Sequence, residues 1–282
     1  MSMTTIRVPD FDDVRLKVFT DLTNHQLRNR IDPQQGLCIV ESELAIRVAL
    51  EEGVTPVAFL LDERKLAAMG DVLEEVPDEV PVYVLPPDEA ERITGYRVTR
   101  GALCAMRRPQ RPELTQLFEH ASRVVVLEGM TDASNVGATF RNAAALGADV
   151  VVVAPTCADP LCRRAVRVSV GNVLRVPWAM APRPWPGALM DALACKGFIR
   201  LALALREDAV SLAHAADVMG KKGKVALFLG AEGPGLTHKV IDACDASVII
   251  PMSRGVDSLN VAAAGAVAMW SLFQEHPRYT TL

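Results

Sequence analysis

Three stretches of this 282-residue chain set short polar side chains where an apolar run gives way to a turn. One of them, 246–270 (ASVIIPMSRGVDSLNVAAAGAVAMW), opens with Val248, Ile249 and Ile250, which read as a buried strand stopped by Pro251. Ser258 and Asn260 then stand near the start of a helix, beside amide donors that any helix start leaves unpaired. That helix is rich in small residues (Ala262, Ala263, Ala264, Ala266, Ala268), so another backbone could lie against it. A capped helix after a buried strand is the plain reading, and the other two stretches weigh against stopping there. In 128–141, Asn135 is placed as an N-cap, Gly137 and Ala138 leave room beside the backbone, and Arg141 projects further on. An arginine there is either an ordinary surface residue or a clamp for a phosphate or ribose through its rigid fork of donors. In 230–236 (GAEGPGL), three glycines after a buried strand imply a tight turn or close approach of backbone to a ligand. Glu232 at its centre would repel a pyrophosphate, which suits a ligand without phosphate or with positive charge. Neither a P-loop nor the Gly-x-Gly-x-x-Gly fingerprint occurs anywhere in the chain.

The elements that must carry these loops alternate between strand and helix. Residues 1–35 are polar, with a helix expected at about 19–30. From Gly36, strands are expected at 37–40, 56–61 and 80–85 and helices at 41–52, 63–73 and 88–94, a small three-layer α/β unit. The segment 95–112 holds Arg97, Arg100, Arg107, Arg108 and Arg111 and reads as the end of a first domain (1–110) and a linker. Five arginines there fit either a solvated connector or a local phosphate-binding patch. A second domain, 111–282, follows, with strands expected at 124–127, 150–154, 173–176, 198–204, 225–229 and 248–250. Its helices are expected at 135–146, 159–170, 186–196 and 238–244, with Arg163, Arg164 and Arg167 on one side of the second. This pattern gives a mostly parallel sheet covered by helices, whose ligand sites belong at the carboxyl ends of the strands.

Composition narrows the partners. Apolar residues make up 50% and charged residues 23%, ordinary for a soluble globular protein, while a net charge of −4 requires any nucleic-acid binding to use local patches. The six cysteines are scattered, and no histidine completes a zinc site near Cys157 and Cys162, so buried free thiols in a reducing cytosol are expected and no metal. The N-terminus lacks a signal-peptide core and no apolar run approaches the ~20 residues of a membrane span. The expected compartment is therefore cytoplasmic.

In order and spacing, the three stretches resemble the motifs of the SpoU/TrmH family, ribose 2'-O-methyltransferases of the SPOUT superfamily. The matching residues are Asn135-Val136-Gly137-Ala138 with Arg141, then Leu229-Gly230-Ala231-Glu232-Gly233, then Ile250-Pro251-Met252 with Ser258-Leu259-Asn260-Val261. The resemblance covers the whole second domain. It implies an α/β fold with a C-terminal trefoil knot, a rare exception to the rule against threading. It implies S-adenosylmethionine held by Leu229, Gly230, Ile250, Met252 and Leu259, structured RNA as substrate (rRNA ahead of tRNA), and a homodimer through the knotted domain. The first domain is similar, more loosely, to the family's L30e/L7Ae-like substrate-binding domain. Three departures stand out: Arg254 where a glycine is common, Ala133-Ser134 where Pro-Gly is frequent, and Ala262 in place of a serine.

The resemblance also assigns roles. Arg141 would sit at the ribose hydroxyl, as base or as anchor of the adjacent phosphate; a guanidinium keeps its proton at neutral pH, which favours the anchor. Asn135, Ser258 and Asn260 would orient ribose, cofactor and Arg141, and Glu232 would fix its own loop. The alternatives are an inactive family member that only binds RNA, and a hydrolase built on Ser258. The latter lacks a Gly-x-Ser-x-Gly elbow, and His25, His120, His214, His238 and His276 read as surface or packing residues.

Overall fold

The computed structural model describes residues 5–10, 12–20, 36–89, 101–219, 223–255 and 258–273. The chain divides into two compact units, Met1–Gln110 with Pro160–Arg175, and Arg111–Asp159 with Val176–Leu282.

Unit 1 contains strands β1 (Thr5–Arg7), β2 (Leu37–Glu41), β3 (Pro56–Asp62), β4 (Val82–Leu85) and β5 (Ala102–Arg107) in the order β1-β4-β3-β5-β2. Only β5 runs antiparallel to its neighbours. Its helices are α1 (Lys17–Thr20), α2 (Glu43–Glu51) and α3 (Gly70–Glu74). Two expectations change here. The segment 102–107 is a buried strand between β3 and β2 rather than a linker, because the arginines that suggest a connector flank an apolar run, Ala102 to Met106. The helix expected at 63–73 is a 3-10 turn, Glu63–Lys65, followed after a break by α3 at Gly70. Strand β1, within the polar N-terminal stretch, was not foreseen. Most of the helix expected at 19–30 and of that at 88–94 lies outside the described residues, as do Arg97 and Arg100.

Unit 2 is a seven-stranded, all-parallel sheet in the order β10-β12-β9-β11-β6-β7-β8. Its elements in chain order are α4 (Leu114–His120), β6 (Arg123–Leu127), α5 (Ala133–Ala145), β7 (Val150–Val153), β8 (Trp178–Met180), α8 (Gly187–Cys195), β9 (Phe198–Leu203), β10 (Val210–Ser211), α9 (Leu212–Met219), β11 (Lys224–Leu229), α10 (His238–Ile241), β12 (Ala246–Ile249) and α11 (Val261–Phe273). The two helices between α5 and α8 in sequence, α6 (Arg163–Val168) and α7 (Asn172–Arg175), pack with unit 1. Near-continuous apolar strands such as β7 (VVVV) and β11 (KVALFL) are what a sheet covered on both faces requires. Phe118, Val126, Leu189, Leu193, Phe198 and Phe228 form the core on one face.

The strand expected at 173–176 is instead helix α7, with Val173 alone buried among its four residues; the strand begins after Pro177, at Trp178. Arg163 and Arg167 do share a side of α6, and both meet the buried Glu41 of β2, at 2.9 and 3.6 Å. Arg175 likewise pairs with Glu51 and Glu52. These cations are engaged within unit 1 by carboxylates.

Candidate active site

The register of the sheet brings the three loops together. Leu229 of β11 pairs with Leu127 of β6, so the loops following these strands leave the sheet side by side. On the other flank of β11 lies β9, and beyond it β12. Carboxyl ends of β9, β11 and β12 surround a cavity of about 510 Å³, within the ~300–1,000 Å³ typical of small-molecule sites. Leu229, Gly230, Ile250, Met252 and Leu259, the five residues expected to hold a cofactor, all line it, as do Glu232, Ser258 and Asn260. No lysine or arginine is among the described lining residues.

The loop 230–236 owes its shape to glycine. Ala231 and Gly235 exchange backbone hydrogen bonds of 3.1 and 3.0 Å, folding the segment back on itself. A Cβ on Gly230 would stand 2.2 Å from the Gly235 carbonyl carbon and the Leu236 nitrogen, so no other residue fits. Glu232 is carried at the tip of this turn.

A chain of hydrogen bonds links the three motifs. Helix α5 begins two residues earlier than expected: Asp132 is its cap, its Oδ1 accepting from the Ser134 N–H at 2.9 Å. Asn135 therefore lies inside the first turn rather than at the N-cap, and its side chain is free for the site. Helix α11 begins at Val261, later than the expected 258, and Asn260 is its cap: Oδ1 accepts from the amides of Ala262 and Ala263 at 3.0 and 3.3 Å. With its oxygen so committed, Asn260 turns Nδ2 to Asn135 Oδ1 at 3.0 Å. Asn135 in turn donates through Nδ2 to Glu232 Oε2 at 2.9 Å. The direction of each amide is thus fixed by the next, ending on a carboxylate that can only accept.

Helix α11 also meets α5, where Asn142 donates through Nδ2 to the Ala262 carbonyl at 2.8 Å. Gly265 lies over Leu229, and a Cβ there would come within 2.8 Å of Leu229 Cδ1, which realises the close approach implied by the small-residue helix. Arg141 stands apart: it is exposed on α5, beyond Asn135, and is not among the residues lining the cavity. Arg254 adopts φ 59°, a left-handed conformation that a glycine would take at less cost. Val256 and Asp257 of the same loop lie outside the described residues.

Several surrounding residues were not foreseen. His238 lines the cavity rather than serving only in packing, while His25 and His276 lie outside the described residues. Glu128, 4% exposed, accepts three hydrogen bonds; an acid directly after a buried strand was the available signal. Burial pushes the Cys157 thiol up to about 11 and that of Cys244 up to about 12, so both stay protonated and inert at neutral pH. Hydrogen bonds from Arg200 hold the Asp245 carboxyl below its ordinary value, a structural pair at the opposite ends of β9 and β12 from the cavity. No cluster of potential metal ligands occurs among the described residues, and no described helix is long and apolar enough to cross a membrane.

The model of the SpoU rRNA Methylase family matches residues 122–270, which include every element of the cavity. An uncharacterised tRNA/rRNA methyltransferase of Mycobacterium bovis is 43% identical over 93% of this chain and 90% of its own length. The 23S rRNA (guanosine-2'-O-)-methyltransferase RlmB of Acinetobacter baylyi is 26% identical over 74% of this chain and 84% of its own. Among solved structures, the SpoU methyltransferase AviRb of Streptomyces viridochromogenes, crystallised with AdoMet, superposes with a TM-score of 0.76 at 22% identity, covering 92% of this chain and 97% of its own. The chain belongs to the SpoU rRNA methylase family.

Proposed function

We propose that this protein is an RNA (ribose-2'-O-)-methyltransferase that uses S-adenosylmethionine and acts on structured RNA, with rRNA favoured over tRNA. The observation that carries the reading is the chain Glu232–Asn135–Asn260 along the rim of the 510 Å³ cavity. The cavity suits the cofactor: it is nucleoside-sized, lined by Leu229, Ile250 and Leu259, free of described lysine and arginine, and carries a carboxylate for a cationic ligand. The AdoMet-bound relative and the RlmB relative, a guanosine-2'-O enzyme, add support at the level of the family.

When bound, the cofactor supplies a methyl group on a positively charged sulfur. The protein's share is then to hold the ribose hydroxyl in line with that group and to stabilise it as its proton leaves. Glu232, fixed by Asn135, would offer its carboxylate to a cationic ligand. Leu229, Gly230, Ile250, Met252 and Leu259 would hold the cofactor, with Asn260 and Ser258 beside it. Arg141, outside the cavity and exposed, anchors the phosphate next to the target ribose. Single-turnover methyl transfer to RNA checks this: Arg141→Ala is expected to slow transfer by about 100-fold, and a near wild-type rate would refute the role.

The same reading extends to the assembly. Val267 and Trp270 of α11 are 44% and 53% exposed and lie near Ala263 on one face, an apolar stripe suited to a second copy of the chain. Trp270→Glu is expected to convert a homodimer to a monomer in light scattering; an unchanged mass would reject that face. Helix α11 follows β12 yet packs on α5, which follows β6, three strands away across β9 and β11, and this crossing supports a threaded trefoil. An experimental structure with an unthreaded C-terminal segment would contradict it. Unit 1 is the L30e-like domain that recognises the RNA, and loss of RNA binding on its deletion would test that.

A further inference from the structure

We propose that Glu128 is a positioning residue that clamps the cavity loop at both ends and thereby sets cofactor affinity; this rests on the S-adenosylmethionine reading above. Its backbone N–H donates to the Leu229 carbonyl at 2.9 Å, where the loop begins. Its carboxylate takes the Thr237 N–H on Oε2 at 2.8 Å and the Thr237 hydroxyl on Oε1 at 3.0 Å, where the loop ends. The neighbours of Thr237, Leu236 and His238, both line the cavity. One residue at the tip of β6 therefore fixes the entry and the exit of 230–236, whose ends the Gly230 contact shows to be pressed together. A third donor, Trp185 Nε1, reaches Oε1 at 3.0 Å, a bond to the carboxylate and not to the loop.

Three donors converge on a group that offers only acceptors. An amide in its place can keep both Thr237 contacts by donating its NH₂ to the Thr237 hydroxyl and giving up only the indole bond, so the decisive variant is Glu128→Ala, which removes all three side-chain bonds. The test is calorimetric titration of the full-length protein with S-adenosylmethionine, paired with methyl-transfer kinetics on RNA. Glu128→Ala is expected to raise the Kd and the cofactor KM by about tenfold, with kcat at saturating cofactor within about threefold of wild type. Thr237→Val, which removes one of the two loop bonds, is expected to weaken binding severalfold. Trp185→Phe is expected to leave the Kd within about twofold, because its hydrogen bond lies outside the loop.

An unchanged Kd in Glu128→Ala, or equal weakening in Glu128→Ala and Trp185→Phe, would overturn the clamp and leave the cofactor assignment standing. Should Glu128→Ala fail to fold, Thr237→Val decides, and wild-type affinity in that variant overturns the clamp. Absence of saturable uptake by the wild-type protein would overturn the cofactor assignment and the clamp together.

Discussion

At the scale of single residues, the site depends on which atom of each amide faces which partner. Asn135 gives its NH₂ to Glu232 and its oxygen to Asn260, so it joins the second motif to the third. Asn135→Ala removes both bonds and leaves Glu232 to swing on a glycine-rich turn. Transfer is expected to fall about 100-fold in kinetic assay while the thermal midpoint changes little, since Glu232 is exposed and Asn260 keeps its capping bonds. A rate within threefold of wild type would remove Asn135 from the mechanism. Of the ten residues expected at the site, eight line the cavity, Asn135 bonds to it, and Arg141 lies outside it. The position of Arg141 was not legible, because one sequence says how far along a helix a side chain stands but not what the opposite face meets. The bond between Asn135 and Asn260 spans 125 residues, and no local pattern reports a contact of that range.

At the scale of elements, strand ends and the turns after them do the positioning. The long apolar strands were readable because a parallel sheet buried on both faces tolerates little else. Segments with mixed signals were misread: 102–107 was masked by flanking arginines, and 173–176 was an apolar tetrapeptide too short to distinguish strand from helix. The cap of α5 was misplaced because Asp132 and Asn135 are both good caps and the chain uses the earlier one. The loop after β11 is the element with the least tolerance. Gly230→Ala drives a methyl group into the Gly235–Leu236 peptide at 2.2 Å, and the turn must open. Calorimetry is expected to show cofactor binding lost, whereas Gly233→Ala, whose Cβ meets nothing within 4 Å, has only its φ of 92° to accommodate and is expected to retain measurable binding. Binding retained by Gly230→Ala and lost by Gly233→Ala would contradict the stated geometry.

At the scale of the molecule, a net charge of −4 and arginines committed to carboxylates in unit 1 leave little unspecific attraction for RNA. Binding of RNA must then rely on a few placed groups rather than on overall charge. Family membership covers residues 122–270 and places the chemistry on RNA, while the ribose hydroxyl as acceptor is the proposal, supported by the guanosine-2'-O enzyme among the relatives. The most direct measurement is a map of 2'-O-methylated nucleotides in total RNA from cells with and without the protein, repeated after adding back the wild type and Arg141→Ala. One ribose methylation, in rRNA, is expected to vanish on deletion, return with the wild type and stay absent with the variant. An unchanged ribose map, or a lost methyl group that sits on a base, would contradict the proposed chemistry.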